Sequence, residues 1–248
     1  MLEVKTRNRL KRIMESVVPG FILQPMLTRR MKRKYHAYAG RSAEDVFTDI
    51  HDNNRWRGRQ SVSGQGSDID QTRTIRAFLP ELIRELKIGA ILDVPCGDFN
   101  WMQHVDLGDC RYIGGDIVAT LAAKCQAAYG SPARRFLHLD IAKDDLPRAD
   151  LILCRDCFIH LPIELIQSAV KNFKRSGAKY LFTTNGPTRK VNADIVAGGY
   201  RLPNLRLPPF NFPEPIKSMR DDPPSQHLAG NPDFDRYMEL WELDKIPG

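Results

Sequence analysis

From residue 88 onward the chain alternates between short apolar runs and longer stretches with apolar residues at helical spacing. The runs at 90–93, 112–115, 135–139, 150–154 and 180–184 predict strands, and the stretches at 101–105, 118–128 and 162–174 predict helices between them. Short strands alternating with helices are the mark of a parallel sheet. After residue 186 Pro203, Pro208, Pro209, Pro213 and Pro215 break regular structure. Residues 235–244 then alternate as a strand, with 212–219 as a hairpin partner. Upstream, Ile69, Thr72, Ile75, Phe78, Leu79, Leu82, Ile83 and Leu86 predict a helix capped by Ser67 and disturbed at Pro80. Further helices are predicted at 3–16, 26–38 and 44–51, the first two separated by Pro19-Gly20 and Pro25. Between them and the sheet lies a polar Gly/Ser-rich stretch, 53–67, which contains Trp56 and reads as a lid loop.

The 248 residues suffice for one large domain with an extension. The pattern divides them into a basic helical extension, 1–50, and a main domain, 51–248, whose first segment, 51–67, is the lid. No apolar run approaches the roughly 20 residues that span a bilayer, and no long apolar stretch follows the start, so a secretory signal is not expected. Five scattered cysteines suggest buried thiols in a reducing compartment, and a cytoplasmic location is expected. Cys154 and Cys157 form a lone C-x-x-C with no second ligand pair, so no metal site is expected. The net charge of +7 is uneven: residues 1–40 hold ten Lys and Arg against two acids, which leaves the remaining chain at −1. A nucleic-acid enzyme would more often carry its positive field across the catalytic face, so that partner is disfavoured. The arm is either a solvated helical extension or a peripheral contact with an anionic lipid or polymer surface.

Candidate chemistry sits at the strand ends. The stretch 91–102 runs from an apolar strand into Asp93, a Pro-Cys-Gly turn and a helical start, which brings backbone N–H groups up to a ligand. Gly97 has no Cβ, so backbone can approach closely there. Asp116 ends the second strand, placed to accept hydrogen bonds from both hydroxyls of a ribose. Asp140 follows the third strand and Asp156 the fourth. In an open parallel sheet these ends line one crevice, where ligands bind. A dinucleotide oxidoreductase would want G-x-G-x-x-G after the first strand, which is absent.

These elements, in this order, resemble the motifs of class I S-adenosylmethionine (SAM) methyltransferases, across residues 70–185 and the C-terminal strand pair. Pro95 and Phe99 stand where that family usually has its first and third glycines, leaving Gly97. The resemblance implies a Rossmann-like, doubly wound, mostly parallel α/β sheet with an antiparallel C-terminal strand pair. It implies SAM as cofactor and S-adenosylhomocysteine as product. Asp93 and backbone near Gly97 would hold the methionine part, Asp116 the ribose and Asp140 the adenine amino group, with Cys96, Ile117, Ile141 and Arg155 in the same site. Arg155 is alternatively an ion-pair partner or a ligand for an anionic acceptor. The loop also resembles one that precedes the nucleotide domain in small bacterial methyltransferases of surface-polysaccharide gene clusters. There Ser61, Ser63 and Ser67 would bind the SAM carboxylate, and Trp56 would cover the cofactor. His160 and Asp156 are the candidate catalytic bases, and the segment 200–215 is expected to wall the acceptor pocket. The implied reaction is methyl transfer to a small molecule or glycan, at oxygen. The alternatives are an RNA or protein methyltransferase using the basic arm, and a SAM-binding regulator without turnover.

Overall fold

A computed structural model describes residues 18–221 and 235–247. The helix expected at 3–16 lies outside them. In chain order the described elements are α1 (Gly20–Lys34), α2 (Ala43–Asp52), α3 (Arg73–Leu86), β1 (Ala90–Asp93), β2 (Arg111–Asp116), α4 (Ala119–Tyr129), β3 (Arg134–His138), β4 (Leu151–Cys154), α5 (Ile163–Arg175), β5 (Tyr180–Asn185), β6 (Lys217–Arg220) and β7 (Tyr237–Glu242).

The strands form one sheet in the order β3-β2-β1-β4-β5-β7-β6. The first five are parallel, and β7 runs antiparallel to both β5 and β6. Alternate strand residues feed two cores. Ile91, Tyr112, Leu153 and Phe182 pack on one face with Ile75 and Leu79 of α3. Leu92, Ile152, Leu181 and Trp241 pack on the other with Ile166, Val170 and Phe173 of α5. Both faces are covered, so the central strands read as continuous apolar runs.

Several boundaries differ from the sequence expectation. Helix α1 begins at Gly20 and runs through Pro25, because Leu23 is buried on its inner face and tertiary packing outweighs the lost N–H. Ser67 caps nothing. It closes a 3₁₀ turn, Gln65–Ser67, and the long helix starts only at Arg73, after a second turn at Asp70–Thr72. Pro80 lies inside α3 without ending it. The helix expected at 101–105 is one 3₁₀ turn, Met102–His104. The hairpin partner is confined to β6. Phe212 lies outside it, buried edge-on against Trp241 at a centroid distance of 5.3 Å. Among the described residues, no helix is long and apolar enough to cross a membrane.

Candidate active site

The topology brings the polar residues to one edge. Asp93 and Asp116 end β1 and β2, Asp140 lies two residues past β3, and Arg155 and Asp156 follow β4. Strand β7 is antiparallel to β5, so its start, preceded by Arg236, meets the same edge. Strand β6 reverses again, so Asp221 at its exit arrives there too.

These ends open into a cavity of about 370 Å³, within the range of small-molecule sites. Trp56, Ser63, Ser67, Asp93, Cys96, Gly97, Asp116, Ile117, Asp140, Ile141, Arg155, Asp156 and His160 all line it. Ser61 does not. Its buried hydroxyl donates to Oδ1 of Asp98 at 2.8 Å and accepts from the Ser63 N–H, so it shapes the loop from behind.

Asp93 is buried, and Oδ2 accepts from the Tyr112 hydroxyl at 2.6 Å. Burial above all, with the nearby Asp116 charge, pushes its pKa up to about 7, against the opposing pull of Tyr112 and Arg155. Asp116 is also buried. Its two oxygens accept the N–H groups of Gly97 (3.1 Å) and Val118 (2.9 Å), which fastens the end of β2 to the turn after β1. Burial raises its pKa despite these bonds. Each oxygen retains a second lone pair for a ligand. Oδ1 of Asp140 accepts from the Ala142 N–H and Oδ2 pairs with Lys143. Buried Asn172 of α5 donates to the carbonyls of Ile141 and Asp144 and holds this turn against the sheet.

The loop 53–67 closes over the cavity. Asp98, at the turn after β1, accepts from the Val62 N–H at 3.0 Å and donates its own N–H to the Ser63 hydroxyl. Asn100 donates to the Ser67 carbonyl and Arg155 to the Gly66 carbonyl. Gly97 has φ +56°, and a Cβ there would sit 2.3 Å from Ser63 Oγ, so only glycine admits the loop this close. Gly64, at φ +95°, lets the chain fold back over Trp56.

Beyond the strand ends lies a charge quartet of buried Arg155, Asp221 and Arg236 with half-buried Asp156. Arg155 pairs with Asp221 at 2.9 Å and Asp156 at 3.3 Å; Arg236 pairs with Asp156 at 2.9 Å and Asp221 at 3.2 Å. For Asp156, burial works to raise the pKa, but Arg236, Arg155 and His160 together outweigh it and hold the carboxyl below its usual range. Such a group is a weak base. His160 is different. Its Nδ1 lies 2.7 Å from the Gly199 carbonyl oxygen, which can only accept, so Nδ1 carries the proton and Nε2 carries the lone pair. Burial, more than any other influence, lowers its pKa, which keeps the ring neutral near pH 7. Trp56 stacks on one side of the ring and Tyr200 lies 5.9 Å away on another.

Sequence reasoning missed Phe47 and His51 of α2, which wall the cavity from the stretch assigned to the extension, and it missed Arg236. The sequence marked 44–51 as a helix but not which surface it covers. The segment 200–215 corrects an expectation. Tyr200 lines the cavity, whereas Arg201, Asn204, Phe210 and Phe212 are buried as scaffold. The Arg201 guanidinium donates to the carbonyls of Phe158, Leu161 and Ala193, and its N–H to Ile159. Asn204 and Asn192 bond each other and neighbouring backbone.

No protein-family model matches the chain, and no curated protein matches it in sequence. Solved structures do resemble it. The magnesium protoporphyrin IX methyltransferase of Synechocystis, solved with bound SAM, superposes with a TM-score of 0.55 at 14% identity, covering 85% of this chain and 99% of its own. The Burkholderia thailandensis 1,6-didemethyltoxoflavin-N1-methyltransferase, solved with bound 1,6-didemethyltoxoflavin and S-adenosylhomocysteine, gives 0.54 at 16% identity, covering 83% and 88%. At these identities the likeness is one of fold: the chain has the Rossmann-like architecture of class I SAM methyltransferases.

Proposed function

We propose that this chain is a SAM-dependent methyltransferase that acts on a small-molecule or glycan acceptor at oxygen. The observation that carries this reading is the row of carboxylates at the ends of β1, β2 and β3, gathered around one cavity in this fold. The donor set suits the cofactor. Buried Asp93, with its pKa near neutrality, gains a partner when a cationic methionine moiety lies beside it. Asp116 has lone pairs for two ribose hydroxyls, and Ile117, Leu121, Leu139 and Ile141 offer apolar walls to a base.

SAM supplies a methyl group on a sulfonium that is already a good leaving group. What remains for the protein is positioning, and removal of the acceptor's proton. The loop 53–67 covers the cavity, and Arg155, held in the charge quartet, donates to the Gly66 carbonyl and ties the loop to the end of β4. His160 takes the acceptor proton at Nε2, while the Gly199 carbonyl keeps Nδ1–H oriented. Asp156 stays ionised between two arginines and orients its surroundings.

Two measurements test the reading. Calorimetry should show SAM and S-adenosylhomocysteine binding, with thermal stabilisation of about 2.7 kcal/mol at a hundredfold excess over Kd, and no effect of NAD. Radiolabelled methyl from SAM should enter an acceptor in fractionated cell extract. NAD binding without SAM binding would overturn the cofactor assignment, and SAM binding with no labelled acceptor in any fraction would favour a regulator.

A further inference from the structure

Among the described residues, the large apolar side chains that stand exposed are Phe21, Ile22, Met26 and Ile216. Three of these four lie on α1, with exposures of 78%, 43% and 57% for Phe21, Ile22 and Met26. Ile22 and Met26 share one face, and Phe21, in the first turn, lies about 100° round the helix from Ile22, on the flank that also carries Lys32. At 100° per residue, Ile22, Met26, Arg29 and Arg33 form a single outward row, flanked by Phe21 and Arg30. Other positions of the helix tie it to the body. Leu23 is buried, Thr28 Oγ1 accepts from the Asp194 N–H at 3.0 Å, and Lys32 pairs with Asp194 at 2.8 Å. The helix contains five basic residues and no acid, and the preceding residues 1–17 add five more basic residues against two acids.

We propose that the outward face of α1 docks on the surface of an anionic bilayer. Phe21, Ile22 and Met26 enter the headgroup boundary, while Arg29, Arg30 and Arg33 meet lipid phosphates. Charge selects this occupant over the others. In a twofold contact with a second copy, the arginines of one helix would meet either arginines or apolar tips of the other, and the helix has no acid to neutralise them. A nucleic acid would engage the arginines but leave the three apolar tips without a partner. Lipid satisfies both halves of the face. This inference goes beyond the proposed methyl transfer and is independent of it.

The full-length protein would be sedimented with vesicles of pure phosphatidylcholine and of equal parts phosphatidylcholine and phosphatidylglycerol. Binding is expected only to the anionic vesicles, and weakens as salt shortens the screening length from about 10 Å at 0.1 M to about 3 Å at 1 M. Phe21→Ser/Ile22→Ser/Met26→Ser should abolish binding at moderate salt. Arg29→Gln/Arg30→Gln/Arg33→Gln should weaken it by about fivefold per charge. Both variants spare Leu23, Thr28 and Lys32, so circular dichroism and SAM binding should match the wild type. Absence of vesicle binding would overturn the proposal, as would undiminished binding by the apolar variant. Tighter binding to an RNA oligonucleotide than to vesicles would assign the face to nucleic acid. A wild-type dimer that the apolar variant dissociates would assign it to self-association, and a loss of thermal stability in that variant without vesicle binding would assign it to the chain's own residues.

Discussion

The indole of Trp56 stacks on the imidazole of His160, with ring centroids 4.7 Å apart and planes inclined by 24°. One ring belongs to the loop over the cavity and the other to the 3₁₀ turn after β4. The loop therefore sets the environment of the proposed base. Burial lowers the His160 pKa, so the active neutral form is complete above that value and is lost as pH falls through it. The acid limb of the pH–rate profile should lie below the ordinary histidine value. Trp56→Ala should move it upward as the ring gains water. His160→Ala should cut turnover by roughly 10²–10⁴-fold and leave the Kd for SAM unchanged. Steady-state kinetics across pH, paired with calorimetry, decide both points. A folded His160→Ala enzyme with near-normal turnover would remove the residue from the mechanism.

Asp93 makes cofactor binding pH-dependent. Its folded pKa of about 7 lies above the usual 3.8. A carboxylate raised in this way favours the folded state when protonated, so the ligand-free protein loses stability as pH rises between those values, by at most about 1.4 kcal/mol per unit. A cationic ligand needs the ionised form. SAM affinity should therefore rise with pH and level off above about 7, and binding below that value should release a proton. Calorimetry in buffers of different ionisation enthalpy measures this release. Asp93→Asn should remove the pH dependence of SAM binding and raise the stability of the ligand-free protein above neutrality.

Asp116 has both a structural and a ligand-facing task. Asp116→Ala should weaken SAM binding by about 1.5–3 kcal/mol, the scale of hydrogen bonds to a charged group. It should also destabilise the ligand-free protein by about 1–3 kcal/mol, because the Gly97 and Val118 N–H groups lose their acceptor. Denaturant unfolding with and without SAM separates the two losses. Unchanged SAM affinity in a folded variant would reject the ribose role.

Arg201 secures the base without touching the cavity. Its guanidinium is buried, and burial lowers its pKa to about 10. It bonds the carbonyls of Phe158 and Leu161 on either side of His160. Arg201→Met leaves those carbonyls without a donor and should cost about 2–4 kcal/mol of stability. Turnover of the folded fraction should fall while SAM affinity holds, and the acid limb of the pH–rate profile should shift. A variant that is merely less stable, with an unmoved profile, would confine Arg201 to stability.

What the sequence determined by itself is what repeats locally. A short apolar run that ends in an acid is legible without neighbours, which is why 90–93 was placed to the residue and why Asp93, Asp116 and Asp140 were expected at one crevice. Helical spacing likewise located α2, α3, α4 and α5. Partners far apart in the chain leave no such trace. Arg155 and Asp156 meet Asp221 and Arg236 across 66 and 80 residues, because β7 reverses the sheet's direction and β6 restores it. Nothing near residue 155 announces this. Composition also misled where burial decided: the polar and aromatic residues of 200–215 suggested a pocket wall, yet Arg201 and Asn204 face backbone carbonyls in the interior. Pro25 reads as a break, yet docking of Leu23 carries the helix through it. Local chemistry chose which residues meet the crevice from their own strands. Only the closed fold decided which loops and distant side chains cover it, because those contacts depend on packing across elements with no shared period.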